Sequence, residues 1–339
     1  MTEAPLRWGV LGAADIASKA VLPAILAAGD EVVAIASRDA DRARQLASIL
    51  GIAAVYDSYQ DLIDSDLDAV YIPLPNSLHL PWTLLAVAAG KHVLCEKPLA
   101  LGALEATAMR QAAQNRGVTL AEAVMYRYHP RWRLVRQVIR DGSLGSLRHL
   151  RGTFTFSLQP PPDIRWEAEL GGGALYDVGS YLVNACRWLV GEPTRVLARE
   201  HLLHGVDGDG SMLLEFASAD GPVSAELAYS FVAAEHQQFE VIGSTGSLLI
   251  PKPFTAWHGE AIPIWLNESP DRPPRAIPTP AADPYREMVV AFGNRVHGGP
   301  ELVTDGRDAE LGMKVLDAAR RSLGSGSWER LDGVLSPES

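Results

Sequence analysis

Positive charge is in short supply: 30 Lys and Arg stand against 41 Asp and Glu, a formal net charge of -11 over 339 residues. Such a surface repels phosphate backbones and anionic lipid, so nucleic acid and membrane are excluded as main partners and a small-molecule substrate fits better. Cysteine is scarcer still. Cys95 and Cys186 are the whole complement, too few for a disulfide framework, and both are expected as reduced, partly buried thiols. No stretch is long and apolar enough to span a bilayer, and Met1 to Trp8 is short and polar without an apolar signal core; a cytoplasmic location is expected. No internal repeat is evident. Against these absences stands a composition that is 47% hydrophobic, which at this length predicts two domains with sizeable cores.

Two further absences carry chemistry. Leu6 to Leu11 reads as a strand, and Gly12-Ala13-Ala14-Asp15-Ile16-Ala17 as a tight turn opening a helix toward Leu26. Gly12 supplies the turn, while Ala14 and Ala17 stand where a dinucleotide fingerprint usually has glycine. They are still small enough for backbone amides at a helix N-terminus to approach a pyrophosphate. A generic βα turn fits the same residues. The second absence is a carboxylate: the strand Glu31 to Ala36 ends in Ser37-Arg38, where NAD enzymes place an acid for the ribose 2′-hydroxyl. A serine and a guanidinium suit a 2′-phosphate, which predicts NADP over NAD. The alternative is a surface pair of Arg38 with Asp39 or Asp41.

The alternation of strand and helix continues through a helix at Asp39 to Leu50, a short one at Asp61 to Asp64, and a buried strand at Asp68 to Ile72. Pro73-Leu74-Pro75-Asn76 stops that strand at the expected cofactor crevice. Asn76 and His79 fall on the loop and first turn of a helix from Leu80 to Ala89. Lys91 to Leu94 then runs into Cys95-Glu96-Lys97-Pro98, placing an acid, a lysine and a proline where a buried strand ends. Open α/β sheets keep their chemistry at that edge. A helix at Leu104 to Asn115 and a strand at Val118 to Ala121, closing at Glu122, complete a doubly wound, mostly parallel sheet over residues 1–122.

After Glu122 the pattern changes. Tyr126 to Pro130 leads into a helix whose Arg131, Arg133, Arg136 and Arg140 recur on several faces and read as a solvated surface. Alternating segments at Leu150–Leu158, Arg195–Leu203, Ser211–Phe216, Val223–Phe231, Gln238–Ile242 and Ser247–Ile250 predict a second, sheet-rich α+β domain over residues 123–339. Between its first two strands lie the proline-rich Gln159 to Pro162, then Asp163-Ile164-Arg165-Trp166, then Gly171-Gly172-Gly173-Ala174-Leu175-Tyr176-Asp177-Val178-Gly179-Ser180-Tyr181, feeding a helix from Leu182 to Leu189. Pro251 to Pro284, with Trp257, His258 and Trp265, reads as a long surface loop. Helices at Tyr285 to Val296 and Ala309 to Leu323 are expected to pack back on the first domain. His201, His204, Asp207 and Asp209 cluster in a turn and read as loop polarity, with no metal predicted.

Three glycines, then Asp177, then Tyr181 four residues on, place an acid and a phenol on one face of a helix start. With Gly12 to Ala17, Asn76-x-x-His79 and Glu96-Lys97-Pro98, in this order over nearly the whole chain, the sequence closely resembles the Gfo/Idh/MocA oxidoreductase family. The resemblance implies a Rossmann domain followed by an α+β domain with an open-faced, mostly antiparallel sheet, and a homodimer or homotetramer built on that face. It implies hydride transfer between a nicotinamide and a sugar, polyol or related alcohol. Tyr181, where many members carry histidine, and Asp163-Ile164-Arg165-Trp166 resemble the branch of glucose-fructose oxidoreductase, dihydrodiol dehydrogenase, NADP-dependent xylose dehydrogenase and sugar 3-ketoreductase. Cofactor contacts are implied at Gly12, Ala13, Ala14, Asp15, Ile16, Ser37, Arg38, Pro73, Leu74, Asn76, His79, Glu96, Lys97, Arg165, Trp166 and Tyr285. Substrate contacts are implied at Lys97, Tyr126, Asp163, Arg165, Asp177 and Tyr181.

Oxidising a secondary alcohol or hemiacetal needs a base for the hydroxyl proton as hydride leaves carbon, and carbonyl reduction needs the same group as an acid. Tyrosine is a poor base at neutral pH unless a cation favours its phenolate. Tyr181 is therefore read as the proton-transfer residue and Lys97 as the cation that orients the hydroxyl and tunes the phenol, or Lys97 is itself the acid/base. Asp177 hydrogen-bonds Lys97 or the substrate, or caps its helix. These residues predict an NADP(H)-dependent aldose or diol dehydrogenase. The alternatives are a nucleotide-sugar 3-ketoreductase of deoxysugar biosynthesis, with Arg127, Arg165 or Arg187 at the diphosphate, and a non-catalytic NADP-binding sensor.

Overall fold

The computed structural model describes residues 4–159, 162–255, 259–269 and 271–331, so Trp257 and His258 lie outside the described residues. Residues divide into two compact units, 1–128 with 283–310 and 129–282 with 311–339.

In the first unit, β1 (Arg7–Leu11), β2 (Glu31–Ala36), β3 (Ala54–Tyr56), β4 (Ala69–Ile72), β5 (His92–Cys95) and β6 (Leu120–Glu122) form one sheet in the order β3-β2-β1-β4-β5-β6. Every pairing is parallel. Helices α1 (Leu22–Ala28), α2 (Ala40–Leu50), α3 (Tyr59–Ile63), α4 (His79–Ala88) and α5 (Ala103–Arg116) make the crossovers. Strands covered on both faces carry near-continuous apolar runs, and β4 is buried at all four positions. Strand order reverses between β1 and β4, so their C-terminal ends open the crevice in which such sheets bind ligands.

The second unit starts with α6 (Pro130–Arg140) and continues through β7 (Leu147–Ser157), α7 (Ser180–Val190), β8 (Arg195–Leu203), β9 (Val206–Phe216), β10 (Val223–Ser230), β11 (Val232–Gly243), β12 (Ser247–Pro251), β13 (Ile264–Asn267) and β14 (Arg275–Ile277). After the chain returns to the first unit in α8 (Pro284–Val296), α9 (Gly306–Ser325) passes from the first unit to the second at Leu311, and β15 (Glu329–Arg330) ends the described chain. The nine strands of the second unit run β14-β13-β12-β11-β7-β10-β9-β8-β15, antiparallel except for the parallel pair β10–β7. Register fixes which face is core. Leu266, Leu248, Val241, Leu150, Ala225, Leu214 and Val196 lie side by side across seven strands, and each is buried. The next residues along, Trp265, Leu249, Glu240, Arg151, Glu226, Leu213 and Leu197, form the adjacent row. Successive strand residues face opposite ways, so this row is the other face.

Asp283 caps α8 by accepting the Tyr285 and Arg286 N–H groups, ahead of Pro284 at the first helical position. That helix places the Phe292 ring 5.0 Å from the ring of Trp8 in β1, and the Trp8 Nε1–H donates to Asp30 at 3.0 Å.

Three expectations need correction. Arg131 is not part of a solvated surface: it is 1% exposed, and its guanidinium donates to the carbonyls of Pro251 (3.0 Å), Lys252 (2.7 Å) and Pro253 (3.2 Å). Its neighbour Trp132 donates Nε1–H to Pro253 as well. Arg136 lies over the Trp188 ring, while Arg133 and Arg140 are exposed. Residues 251–284 are not a loop throughout. Ile264 and Leu266 are buried and Trp265 is turned out, an alternation only three residues long that flanking prolines mask in sequence, and β13 and β14 extend the sheet. His201, Asp207 and Asp209 sit on the strands of the β8–β9 hairpin and only His204 on its turn, with φ 51°.

Arg131, itself buried, bonds three carbonyls without a carboxylate, the one of Pro253 in a buried bond and the other two in part-buried ones, so truncation removes all three bonds. Arg131→Ala is expected to cost about 3 kcal/mol, read as a lower urea midpoint of the transition that reports the second unit, with Arg131→Lys intermediate.

Candidate functional site

On the first unit, the turn after β1 is set by Gly12. Its φ is 116°, a region L side chains avoid, and a Cβ there would lie 3.1 Å from Leu74 Cδ2. Gly12 N–H donates to Ala36 at the end of β2 (2.7 Å), tying the ends of β1 and β2 together. Ala13 is buried and Ala14 half-buried, and helical backbone begins at Asp15 and Ile16. It runs through a wider turn at Ala17–Val21 before α1. Asp15 is paired with Lys19 at 2.7 Å and with Arg42, contacts that hold its carboxyl below the usual carboxylate range. Those two cations offset an acid that would otherwise oppose a phosphate at this helix start.

The end of β2 carries no acid. Ser37 is buried and its Oγ accepts the Asp39 N–H (3.1 Å). Arg38 is exposed. The surface pairs open to it are taken: Asp39 caps α2 through the Arg42 N–H, and Asp41 bonds Arg44 at 2.7 Å. Arg38 has no ion-pair partner among the described residues. A small cradle, a helix start and an unpaired guanidinium beside a buried serine fit a dinucleotide with a 2′-phosphate.

Beyond β4, Pro73 and Leu74 are buried, and Asn76 begins a single turn that leads into α4. His79 is fully buried. Its ring lies between the carbonyls of Leu74 (Nε2, 2.8 Å) and Pro98 (Nδ1, 2.9 Å), so it joins the loop after β4 to the loop after β5. Burial lowers its pKa, which favours the neutral ring with one N–H donated. The Lys97–Pro98 peptide is cis. Around it, Glu96 accepts the Tyr71 hydroxyl (2.7 Å) and the Lys97 N–H (3.2 Å), and Glu122 accepts the Leu99 N–H (2.7 Å). Tyr71 and Tyr285 are both buried, and burial, with the Glu96 charge adding to it, pushes both phenols up and keeps them protonated. Tyr126 is 1% exposed, on the short helical turn Met125–Tyr128.

On the second unit, Asp163 accepts the Arg165 N–H (2.9 Å), and the Arg165 guanidinium bonds Asp163 and, through Nε at 2.9 Å, Asp177. Asp177 stands inside a turn over Leu175–Gly179 whose closing bond runs from Ser180 N–H to Leu175 O. It is therefore not the cap of α7. Trp166 is buried, its Nε1–H donating to Gln159 (2.8 Å) and its ring against Phe231 and His204. Tyr181, at the start of α7, is 9% exposed. Its ring packs on Phe154 (5.7 Å) and Phe254 (5.3 Å), and Phe254 directly follows the Pro251–Pro253 stretch that Arg131 clamps.

The structure thus groups Asp163, Arg165, Asp177 and Tyr181 on one unit and Gly12 to Ile16, Ser37, Arg38, Pro73, Leu74, Asn76, His79, Glu96, Lys97, Tyr126 and Tyr285 on the other. All three arginines considered for a diphosphate are paired with carboxylates, Arg165 with Asp163 and Asp177 as above. Arg127 bonds Asp308 (2.6 Å) and Arg187 bonds Glu192 through two donors (2.7 and 2.8 Å). Sequence reasoning missed Phe154, Phe254 and Arg131 as the supports of Tyr181. Their only signal was apolar or basic character in segments read as strand, loop and surface.

Residues 6–124 match the oxidoreductase family with an NAD-binding Rossmann fold, and residues 132–249 match the GFO/IDH/MocA C-terminal domain. A D-xylose 1-dehydrogenase (NADP(+)) of Haloferax volcanii is 37% identical over 334 residues, 96% of this chain and 100% of that one. A dTDP-3,4-didehydro-2,6-dideoxy-alpha-D-glucose 3-reductase of Streptomyces violaceoruber is 39% identical over 300 residues, covering 87% and 86%. Among solved structures, a 3-ketoreductase from Actinomadura kijaniata in complex with NADP and TDP-benzene superposes with a TM-score of 0.88 at 34% identity over 94% of this chain and 98% of that one. By its two matched domains and by relatives alike over almost their full length, the chain belongs to the Gfo/Idh/MocA oxidoreductase family.

Proposed function

We propose that the protein is an NADP(H)-dependent oxidoreductase of CH–OH groups, an aldose or diol dehydrogenase that takes a free sugar, polyol or cyclic diol. The observation that carries the cofactor choice is Arg38, a guanidinium at the end of β2 with no ion-pair partner among the described residues, where no carboxylate stands. Gly12 to Ile16 would hold the pyrophosphate, and Ser37 and Arg38 the 2′-phosphate. Bound NADP supplies the hydride acceptor, or in reduced form the donor.

The chain's own residues supply the proton chemistry. Tyr181 takes the hydroxyl proton in oxidation and returns it to the carbonyl oxygen in reduction. Lys97 favours the phenolate and orients the reacting hydroxyl. Arg165, held by Asp163 and Asp177, orients the remaining hydroxyls. Glu96, Glu122 and His79 fix the backbone that carries Lys97. A sensor would have no use for this relay.

A second reading is favoured by the likeness to the Streptomyces and Actinomadura 3-ketoreductases: reduction of a nucleotide-linked keto sugar, with Arg165 at the diphosphate. The face for self-association in this reading is the outward row of the second sheet, where Leu213 and Trp265 are 40% and 38% exposed.

Incubation with NADP and a panel of aldoses, polyols and cyclic diols is expected to form reduced nicotinamide. Tyr181→Phe should lower kcat by about 10²–10⁴-fold with NADP affinity unchanged. No turnover on the panel, with reduction of a dTDP-linked 3-keto sugar, would select the second reading; silence on both, with NADP bound, would select the sensor. Arg38→Ala should weaken NADP binding by roughly 10- to 100-fold and leave NAD binding unchanged, as expected for one lost charge-assisted contact. Light scattering is expected to give a dimer or tetramer, and Leu213→Glu to shift it toward the monomer.

A further inference from the structure

The second unit contains a half-buried carboxylate that the proposed mechanism leaves unused. Asp207, near the start of β9, accepts the Leu175 N–H at 2.5 Å. Leu175 is the first residue of the turn that carries Asp177 and leads to Tyr181. The fit is close on the other side as well, since a Cβ on Gly173 would stand 1.9 Å from Asp207 Oδ1, and Gly173 already has a φ of 115°. The last glycine of the triplet is thus required by Asp207 as well as by the chain direction.

The same turn is held from α9. Arg320 donates to the Tyr176 hydroxyl (2.5 Å), and its guanidinium lies 5.4 Å from the centroid of that ring. From the sheet, the Tyr229 ring meets the backbone at Gly179, where a Cβ would approach to 3.3 Å. From the Asp163–Trp166 segment, Arg165 holds Asp177 itself. Four side chains on four elements therefore bear on five consecutive residues, and Asp207 is the one that bonds the backbone at the first of them.

We propose that Asp207 is a positioning residue: its carboxylate anchors the Leu175 N–H and so fixes the turn that presents Asp177 and Tyr181. This rests on the dehydrogenase reading for the role of Tyr181.

Charge at this position is finely set. Burial raises the Asp207 pKa, with Glu200 on β8 adding to it and the Leu175 N–H and Arg320 opposing, and the result is about 7. The other groups facing this pocket are Tyr229 on β10, kept protonated by burial, Asp209 on β9, Tyr176 on the turn itself, and Asp317 on α9 beside Arg320. Above that pKa the acceptor is an anion and its bond to the amide is charge-assisted; below it the bond weakens. The turn is then held more firmly as pH rises through neutrality. The sign for stability is the reverse. The folded pKa lies above the unfolded value of 3.8, so this group's contribution to stability is complete below that value and is lost as pH rises toward about 7.

The test uses the full chain with Asp207→Ala and Asp207→Asn. Hydrogen–deuterium exchange over residues 171–181 reads the turn without any substrate. Asp207→Ala is expected to raise exchange there about tenfold while the rest of the second unit stays protected, and to lower kcat at least tenfold with the KM for NADP within twofold of wild type. Asp207→Asn keeps an oxygen acceptor but cannot ionise: it should fold as wild type, show exchange over 171–181 between wild type and Asp207→Ala, and lose the component of the kcat–pH profile that rises near pH 7. Wild-type exchange over 171–181 in Asp207→Ala, or a kcat–pH profile in Asp207→Asn that matches wild type, would overturn the proposal. A wild-type protein without turnover on any substrate would count against the dehydrogenase reading, while exchange would still decide whether Asp207 fixes the turn.

Discussion

Parallel pairing is the constraint on which the cofactor side of this protein depends. When β1, β2, β4 and β5 all run the same way, their C-terminal ends reach one edge together, and every loop that leaves that edge is available to one ligand. Gly12, Ser37, Arg38, Pro73 and Lys97 are distant in sequence and meet that edge only for this reason. The pairing also explains why those loops are so heavily tied to one another by buried bonds. Gly12 N–H to Ala36, His79 between Leu74 and Pro98, and Glu122 to Leu99 each link one strand end to the next. Helix dipoles and backbone amides are useful at such a site only if they do not move, and the links hold β2 to β1 on one side of the crevice and β4 to β5 to β6 on the other.

The second unit answers the same need differently. Its sheet is largely antiparallel, and the candidate side chains stand on segments laid against it rather than at strand ends. Tyr181 is held by aromatic contact with Phe154 on a central strand and with Phe254 on the connection after β12. Asp177 and Arg165 are held by each other. Arg110, Arg127, Arg187 and Arg195 are paired with carboxylates; what sets Arg38 apart is its place at the end of β2, beside the buried Ser37.

What could be read in sequence was whatever the backbone chemistry demands locally. The βα turn, the serine and arginine in place of an acid, the Glu96-Lys97-Pro98 stop and the glycine triplet each follow from a short-range requirement, and the structure places each at the end of the element expected to carry it. The alternating strands from Leu150 to Ile250 were legible because one face of the sheet is core and the period is two. What escaped depends on long-range partners. Arg131 looks like any surface arginine until the three carbonyls some 120 residues away are known. Strand β13 is three alternating residues among prolines, too few to show a period. Asp207 sits in a polar hairpin and gives no hint that its carboxylate bonds an amide 32 positions earlier.

The route of the chain has a consequence for synthesis. The first unit is interrupted: residues 1–128 are followed by the whole of the nine-stranded sheet's first eight strands before 283–310 return to complete it. Trp8 lies in the second residue of the first strand, yet Phe292, one ring that covers it, leaves the ribosome only after that sheet has emerged. During translation part of the apolar floor of the N-terminal sheet therefore stays uncovered until 283–310 emerge, and the inserted unit is itself unfinished at that point, because its own remainder, 311–339, follows. Both units are completed only by segments near the C-terminal end of the sequence, and the nascent N-terminal segment, exposed longest, is the part with most to gain from a holding chaperone.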